Sequence, residues 1–132
     1  MNFGKILFFF KLGVAIIFLQ TLFFKFNAAD ESIFIFTKLG VEPWGRIAMG
    51  ILELMIVIFL FIPFLVWLGA LFGIGSMMGA IFAHIFVIGI NVANDHGLLF
   101  VLAIVNFLGC SYILYSEKEN LLMNMQWLFK RI

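Results

Sequence analysis

Between Arg46 and Ile90 the chain is almost continuously apolar, and the only ionisable side chains beyond Arg46 in this run are Glu53 and His84. Built as one straight helix at ~1.5 Å per residue, the run would be about 66 Å long, roughly twice the ~30 Å hydrocarbon core of a bilayer. It must therefore fold back on itself. Pro63 marks the place, because proline breaks the helical hydrogen-bond ladder. The expectation is two helices, over about 46–65 and 68–90, joined by a reversal so poor in charge that it must be tight.

The rest of the composition agrees with a lipid solvent. The 132 residues are 65% hydrophobic and only 11% charged, with 19 phenylalanines, whereas a water-soluble domain of this size carries far more charged surface. The length fits a single domain, 1–132. A net charge of +1 and the absence of any basic cluster give no electrostatic case for nucleic acid. The single cysteine, Cys110, excludes an intramolecular disulfide, a Cys-x-x-Cys redox pair and a four-cysteine metal site. A small packing role within a helix suits it better than a reactive thiol.

Two further spans flank the central run. Residues 6–26 are apolar from Ile6 to Phe24 apart from Lys11, Gln20 and Thr21, and end on Lys25 and Phe26. A signal peptide is the alternative reading, with Asn27-Ala28-Ala29 a weak mimic of a cleavage site. The apolar stretch is too long for that, and a first membrane helix is expected, with Lys11 snorkelling to the surface. Residues 98–115 form the fourth span, with Asn106 inside it. Between the first two spans, Asp30-Glu31-Ser32 begins a short helix that Gly40 ends. It is read as an interfacial helix, followed by Trp44 at the membrane–water boundary. After the fourth span, Leu121, Leu122, Met125, Leu128 and Phe129 recur at helical spacing beside Trp127, Lys130 and Arg131, the pattern of an amphipathic tail on a membrane surface. The fold class is thus an all-α integral membrane bundle of four transmembrane helices.

Lysine and arginine orient it. One side holds Lys5, Lys11, Lys118, Lys130 and Arg131, and the other Lys25, Lys38 and Arg46. The richer side is expected in the cytoplasm, with both termini. Polar residues then share a depth in the outer half. Glu53 lies ~10 Å below Arg46, His84 ~10 Å below Asn91, Asn106 ~12 Å below the start of its helix, and Thr21 ~6 Å below Lys25. Arg46 and Glu53, two turns apart, also share a helix face. A buried carboxylate in hydrocarbon is costly and faces a partner, a bundle interior or a wet cavity; the partner expected for Glu53 is Lys25, which shares a helix face with Thr21, or Arg46. A convergent site opening outward is expected. Its candidate ligand-binding residues are Lys25, Arg46, Glu53, His84, Asn91 and Asn106, with Asp95 reaching over from the loop that follows. The third span carries a stripe of Gly69, Gly73, Ser76, Ala80 and His84. Gly75 and Gly79 make a second close-approach motif on a neighbouring face.

Several of these residues resemble the DoxX family of small four-helix membrane proteins. The pattern is Gly45-Arg46-Ile47, Gly50, Glu53-Leu54, then Gly69-Ala70, Gly79-Ala80, His84 and the loop Asn94-Asp95-x-Gly97-Leu98. The likeness runs from Phe24-Lys25-Phe26 to about Gly109, and His96 stands where family members often have a second glycine. It implies a bundle in a bacterial inner membrane, such as a subunit of a thiosulfate:quinone oxidoreductase or a partner in thiol or oxidative-stress complexes.

Three functions follow. The first is a membrane subunit of a quinone-linked oxidoreductase: Phe23, Phe82 and Phe86 line an apolar slot, His84, Arg46 or Lys25 donate to quinone oxygens, and Glu53 or His84 carry protons. The chain has no dinucleotide glycine motif, cysteine cluster or second intramembrane histidine for bis-histidine haem, so an electron-donating protein partner is required. The second is binding or transport of a small molecule, anion or lipid. No internal repeat or broken inner-half helix favours transport, though a homo-oligomer would change that weighing. The third is a scaffold, with Arg46–Glu53 and His84–Asn91 as buried polar ties that fix helix register. A metal site from His84, His96, Asp95 and Glu53 has suitable ligand types but no matching spacing, and none is expected.

Overall fold

The computed structural model describes residues 3–92 and 94–132. Helices α1 (Phe3–Phe26), α2 (Asp30–Lys38), α3 (Trp44–Leu60), α4 (Val66–Ala83), α5 (Leu98–Ser116) and α6 (Lys118–Arg131) follow one another, with no strand among the described residues. Three helical segments, Gly4–Phe26, Pro63–Ile88 and Leu98–Ser116, are long and apolar enough to cross a membrane. The fourth long helix, α3, has 17 residues.

The reversal in the central run falls where proline requires it. Phe61 and Ile62 donate their N–H groups back to Ile58 and Phe59, ending α3. Ile62 is extended (φ −101°, ψ 114°), as the residue before a proline prefers, and Pro63 opens a single 3-10 turn, Pro63–Leu65, that leads into α4. Two antiparallel helices are thereby set side by side with no polar linker.

The bundle is a ring in which α1 packs on α3, α3 on α4, α4 on α5 and α5 on α1. Its core joins Val14 and Phe18 of α1, Ile56 and Leu60 of α3, Val66, Ala70 and Met77 of α4, and Ala103, Cys110 and Ile113 of α5. Cys110 is fully buried, so it packs as expected. Glycine makes the tightest crossing possible. A Cβ on Gly69 would stand 2.9 Å from Phe59 Cβ and 3.2 Å from the Ile56 carbonyl oxygen, and one on Gly73 2.6 Å from Cys110 Sγ. The neighbouring pair is different: at Gly75 and Gly79 nothing lies within 4 Å of an added Cβ. The expected second close approach is therefore not made within the chain, and this face of α4 borders open space.

α2 lies across one end of the bundle, touching α1, α3 and the turn that follows α4. Ser32 and Phe36 face inward from it. α6 buries none of its residues. Its Arg131 guanidinium sits 4.2 Å above the Trp127 ring, which concentrates charge and aromatic surface at its end.

The third span departs from a plain helix over 68–90. Regular α-helix stops at Ala83, and His84–Ile88 form one wider π turn. The wide turn closes when the Gly89 N–H reaches the His84 carbonyl at 2.9 Å, and Gly89 adopts φ 93°, which glycine alone reaches without strain. The chain leaves the helix there.

Candidate functional site

Glu53 is 2% exposed at the middle of α3, and its partner comes from α1. Lys25 Nζ donates to Glu53 Oε1 at 3.0 Å and Oε2 at 3.1 Å. One turn earlier on α1, Thr21 Oγ1 lies 3.2 Å from Glu53 Oε2 and 3.0 Å from the Phe18 carbonyl, so its one hydrogen is shared between them. The spacing of Thr21 and Lys25 places both on the face that meets α3. The carboxylate is thus paired with a cation and held by two residues of α1.

Arg46 does not reach Glu53, because two helical turns separate them by ~10 Å. Arg46 Nε instead pairs with Glu42 Oε1 at 2.8 Å, and Nη1 donates to the Lys25 carbonyl. That carbonyl belongs to the last turn of α1, where it also accepts the Ala28 N–H at 3.3 Å. Arg46 therefore fixes the end of α1 against the start of α3 and holds Lys25 in register with Glu53.

A cavity of about 880 Å³ lies beside this pair. Every long helix and α2 contribute to its wall. Of the seven residues expected to converge, Lys25, Glu53, His84, Asp95 and Asn106 line it; Arg46 and Asn91 do not. Asn91 is set apart because Gly89 ends the helix before it. It is exposed, and its Oδ1 accepts the His96 N–H at 3.1 Å instead of meeting His84. Of the three aromatics expected to form a slot, Phe23, Phe82 and Phe86 are all exposed on the outer surface, with Phe86 75% accessible. Phe24, Phe36 and Phe72 line the cavity in their place.

His84 is 5% exposed and its ring is fixed. Nδ1 lies 2.9 Å from the Gly89 carbonyl oxygen, which only accepts, so Nδ1 carries a hydrogen. In the neutral ring Nε2 then holds the free lone pair. Phe100 packs edge-on at 5.7 Å between centroids. The π turn creates this grip, since it brings the Gly89 carbonyl back over the imidazole.

Asp95 shapes the loop and starts α5. Its Oδ1 accepts the N–H groups of Val92 (3.0 Å) and Gly97 (2.8 Å), and Oδ2 that of Leu99 (3.1 Å). Leu99 lies in the first turn of α5, where backbone donors are otherwise unpaired. Partial burial works to raise the Asp95 carboxyl. The N–H groups of Leu99, Val92 and Gly97, with His84 nearby, outweigh it and hold the group below its usual range. A carboxyl held low in the folded chain stabilises it fully above its unfolded value of about 3.9. That contribution disappears as pH falls through the lower folded value. Asp95→Ala should cost about 0.5–2 kcal/mol, as for other helix caps, with the loss measured by thermal melting above pH ~5 and shrinking on acidification. An unchanged melting point would refute the capping role. Next to it, His96 sits at φ 56°, the left-handed region that favours glycine.

Two polar residues of the cavity wall, the expected Asn106 and the unexpected Ser76, lack partners among the described residues. Ser76 is 8% and Asn106 1% exposed, both line the cavity, and Ser76 Oγ, Asn106 Nδ2 and Asn106 Oδ1 have no hydrogen-bond partner among the described residues. Buried side-chain polar atoms are nearly always paired, so three unpaired ones on one wall mark a place for something else. Ser76 had no signal in the sequence beyond its place among small residues.

Comparison with protein-family profiles, curated proteins and solved structures finds no match to this chain. Fold and site together define an all-helical bundle with three helices fit to cross a membrane and an apolar cavity with an ion pair and unpaired polar groups in its wall.

Proposed function

We propose that this is a multi-pass protein of a bacterial inner membrane, akin to the DoxX family, with four spans and both termini in the cytoplasm. Its cavity binds a quinone on behalf of an oxidoreductase of the thiosulfate, thiol or oxidative-stress type, and a separate protein supplies the electrons. Membrane insertion is supported by the outward-facing apolar surface: Phe64 is 74%, Phe9 57% and Leu108 60% exposed, side chains that water would disfavour. α3 makes the remaining span, second in chain order, its 17 residues extended by Phe61 and Ile62.

The observation that carries the binding function is the cavity whose apolar wall holds unpaired Ser76 and Asn106. Pockets for lipid-soluble molecules have this composition, a largely apolar lining with a few polar groups that orient the ligand. Charge favours a neutral molecule over a small anion. The lining holds one lysine, Lys25, already bound to Glu53, against the carboxylates Glu31, Glu53 and Asp95. In this reading the chain supplies binding and proton handling. Ser76 and Asn106 donate to carbonyl oxygens. His84, with Nδ1 committed to Gly89, presents Nε2 to the cavity as a hydrogen-bond acceptor.

Ubiquinone and menaquinone analogues added to the purified protein in mild detergent should raise its melting temperature, and His84→Ala and Asn106→Leu should reduce the shift. No shift with any quinone would contradict the quinone reading. Orientation is checked by a cysteine at Lys38 in a Cys110→Ser background: labelling from outside intact cells is expected, and labelling only from the cytoplasmic face would reverse the topology.

A further inference from the structure

We propose that Ser76 and Asn106 form the head-group subsite for an uncharged amphiphile whose head both donates and accepts hydrogen bonds, and that its tail runs in a groove between α1 and α5. This rests on the reading of the cavity as a ligand site and specifies the chemistry of what enters it.

The head must be uncharged, because neither subsite residue carries a charge and the one lysine in the lining is held by Glu53. It must also offer both kinds of partner. Asn106 Nδ2 only donates, Asn106 Oδ1 only accepts, and Ser76 Oγ does either. All three atoms are buried and unpaired. In a membrane interior no bulk water is available to satisfy them. A carbonyl oxygen takes the amide hydrogen, and a hydroxyl gives its own to Oδ1. The two residues come from adjacent helices, α4 and α5, and by rise per residue they lie at a similar depth.

The tail has a place. A second cavity, of about 590 Å³, lies between α1 and α5, and Asn106 is its only polar lining side chain. Asn106 and Ile17 line both cavities, so the residue that carries the amide borders the two. Phe9, Val14 and Leu108 are among the side chains that make the groove wall. At Gly13, on the same wall, nothing lies within 4 Å of an added Cβ, which leaves room for an alkyl chain.

Two sources share this head chemistry. A monoacylglycerol carries an ester carbonyl and hydroxyls together. A quinol carries hydroxyls that both donate and accept, whereas its oxidised quinone only accepts, so the quinol is the redox state that fits. The probes are 1-monooleoylglycerol, and a decyl-tailed ubiquinone in both redox states. Dissociation constants are measured on the full chain in nanodiscs, and the probe that binds identifies the source.

Ser76→Ala should weaken the bound probe by about tenfold, the usual worth of one hydrogen bond. Asn106→Leu, which removes a donor and an acceptor, should weaken it by about 100-fold. Its ligand-free melting temperature should stay at or above wild type, since an unpaired polar group is replaced by an apolar one. Gly13→Leu should weaken the long-tailed probe while sparing a methyl-tailed analogue of the same head. If the wild type binds a probe and Ser76→Ala and Asn106→Leu bind it equally well, the subsite is wrong and the cavity reading stands. If the wild type binds neither probe, both fall. A lower ligand-free melting temperature for Asn106→Leu also overturns the proposal, because the amide would then be serving the fold. Should Asn106→Leu fail to fold, Ser76→Ala, which removes one atom, still decides the matter through its Kd.

Discussion

Glu53→Ala should destabilise the bundle by about 3–5 kcal/mol, the cost of leaving one member of a buried ion pair alone. Lys25 has a side chain only 14% exposed and would lose the carboxylate to which its ammonium group donates. Thr21 would lose the same partner. Glu117→Ala is the control, since Glu117 lies at the junction of α5 and α6 with a partner only in exposed Asn120. Its effect should stay within about 0.5 kcal/mol. The double variant Lys25→Met/Glu53→Leu should recover most of the loss, because a buried pair replaced by apolar side chains is often near neutral. Equal effects for Glu53→Ala and Glu117→Ala would remove the buried pair from the description. Unfolding in detergent micelles, followed by circular dichroism, gives the numbers.

The second large effect separates two kinds of glycine on α4. Gly69→Ala drives a methyl group against Phe59 Cβ and the backbone of Ile56 and Leu60, none of which can rotate away. Overpacking of this sort costs about 1–3 kcal/mol. Gly79→Ala adds the same methyl group where nothing lies within 4 Å. Removing a mid-helix glycine there should stabilise by up to about 1 kcal/mol. Should Gly79→Ala prove as harmful as Gly69→Ala, the face bordering the cavity is closed in the working protein.

Much of this was readable before any coordinates. The length of the run after Arg46 forced a reversal, and Pro63 placed it. The spacing of Thr21 and Lys25 put them on one face, and Glu53 needed a cation. What the spacing left open was which cation. Helical periodicity fixes a face but not a reach, and Arg46 turned to Glu42 and the end of α1. The pairing of His84 with Asn91 assumed seven residues of regular helix. The π turn at His84 and the left-handed Gly89 broke that register, and a glycine in an apolar run gives no warning of it. The aromatic slot was misplaced for a related reason. Phe23, Phe82 and Phe86 are as apolar as Phe24, Phe36 and Phe72, and in a lipid solvent hydrophobicity does not tell an outward face from an inward one. Ser76 was invisible because its importance lies in a missing partner, which only the packed structure displays.

On the proposed function, the cavity between the helices holds a lipid-soluble molecule. Native mass spectrometry of the protein taken from its own membranes tests this most directly, with Gly75→Leu beside the wild type. Gly75 lines the cavity and has open space around an added Cβ, so leucine should fill the site and leave the bundle folded. The expected result is a bound, uncharged lipid-soluble molecule on the wild type, lost from Gly75→Leu at a melting temperature no lower than that of the wild type. A wild type that carries nothing, or a variant that carries the same molecule equally well, would contradict the claim.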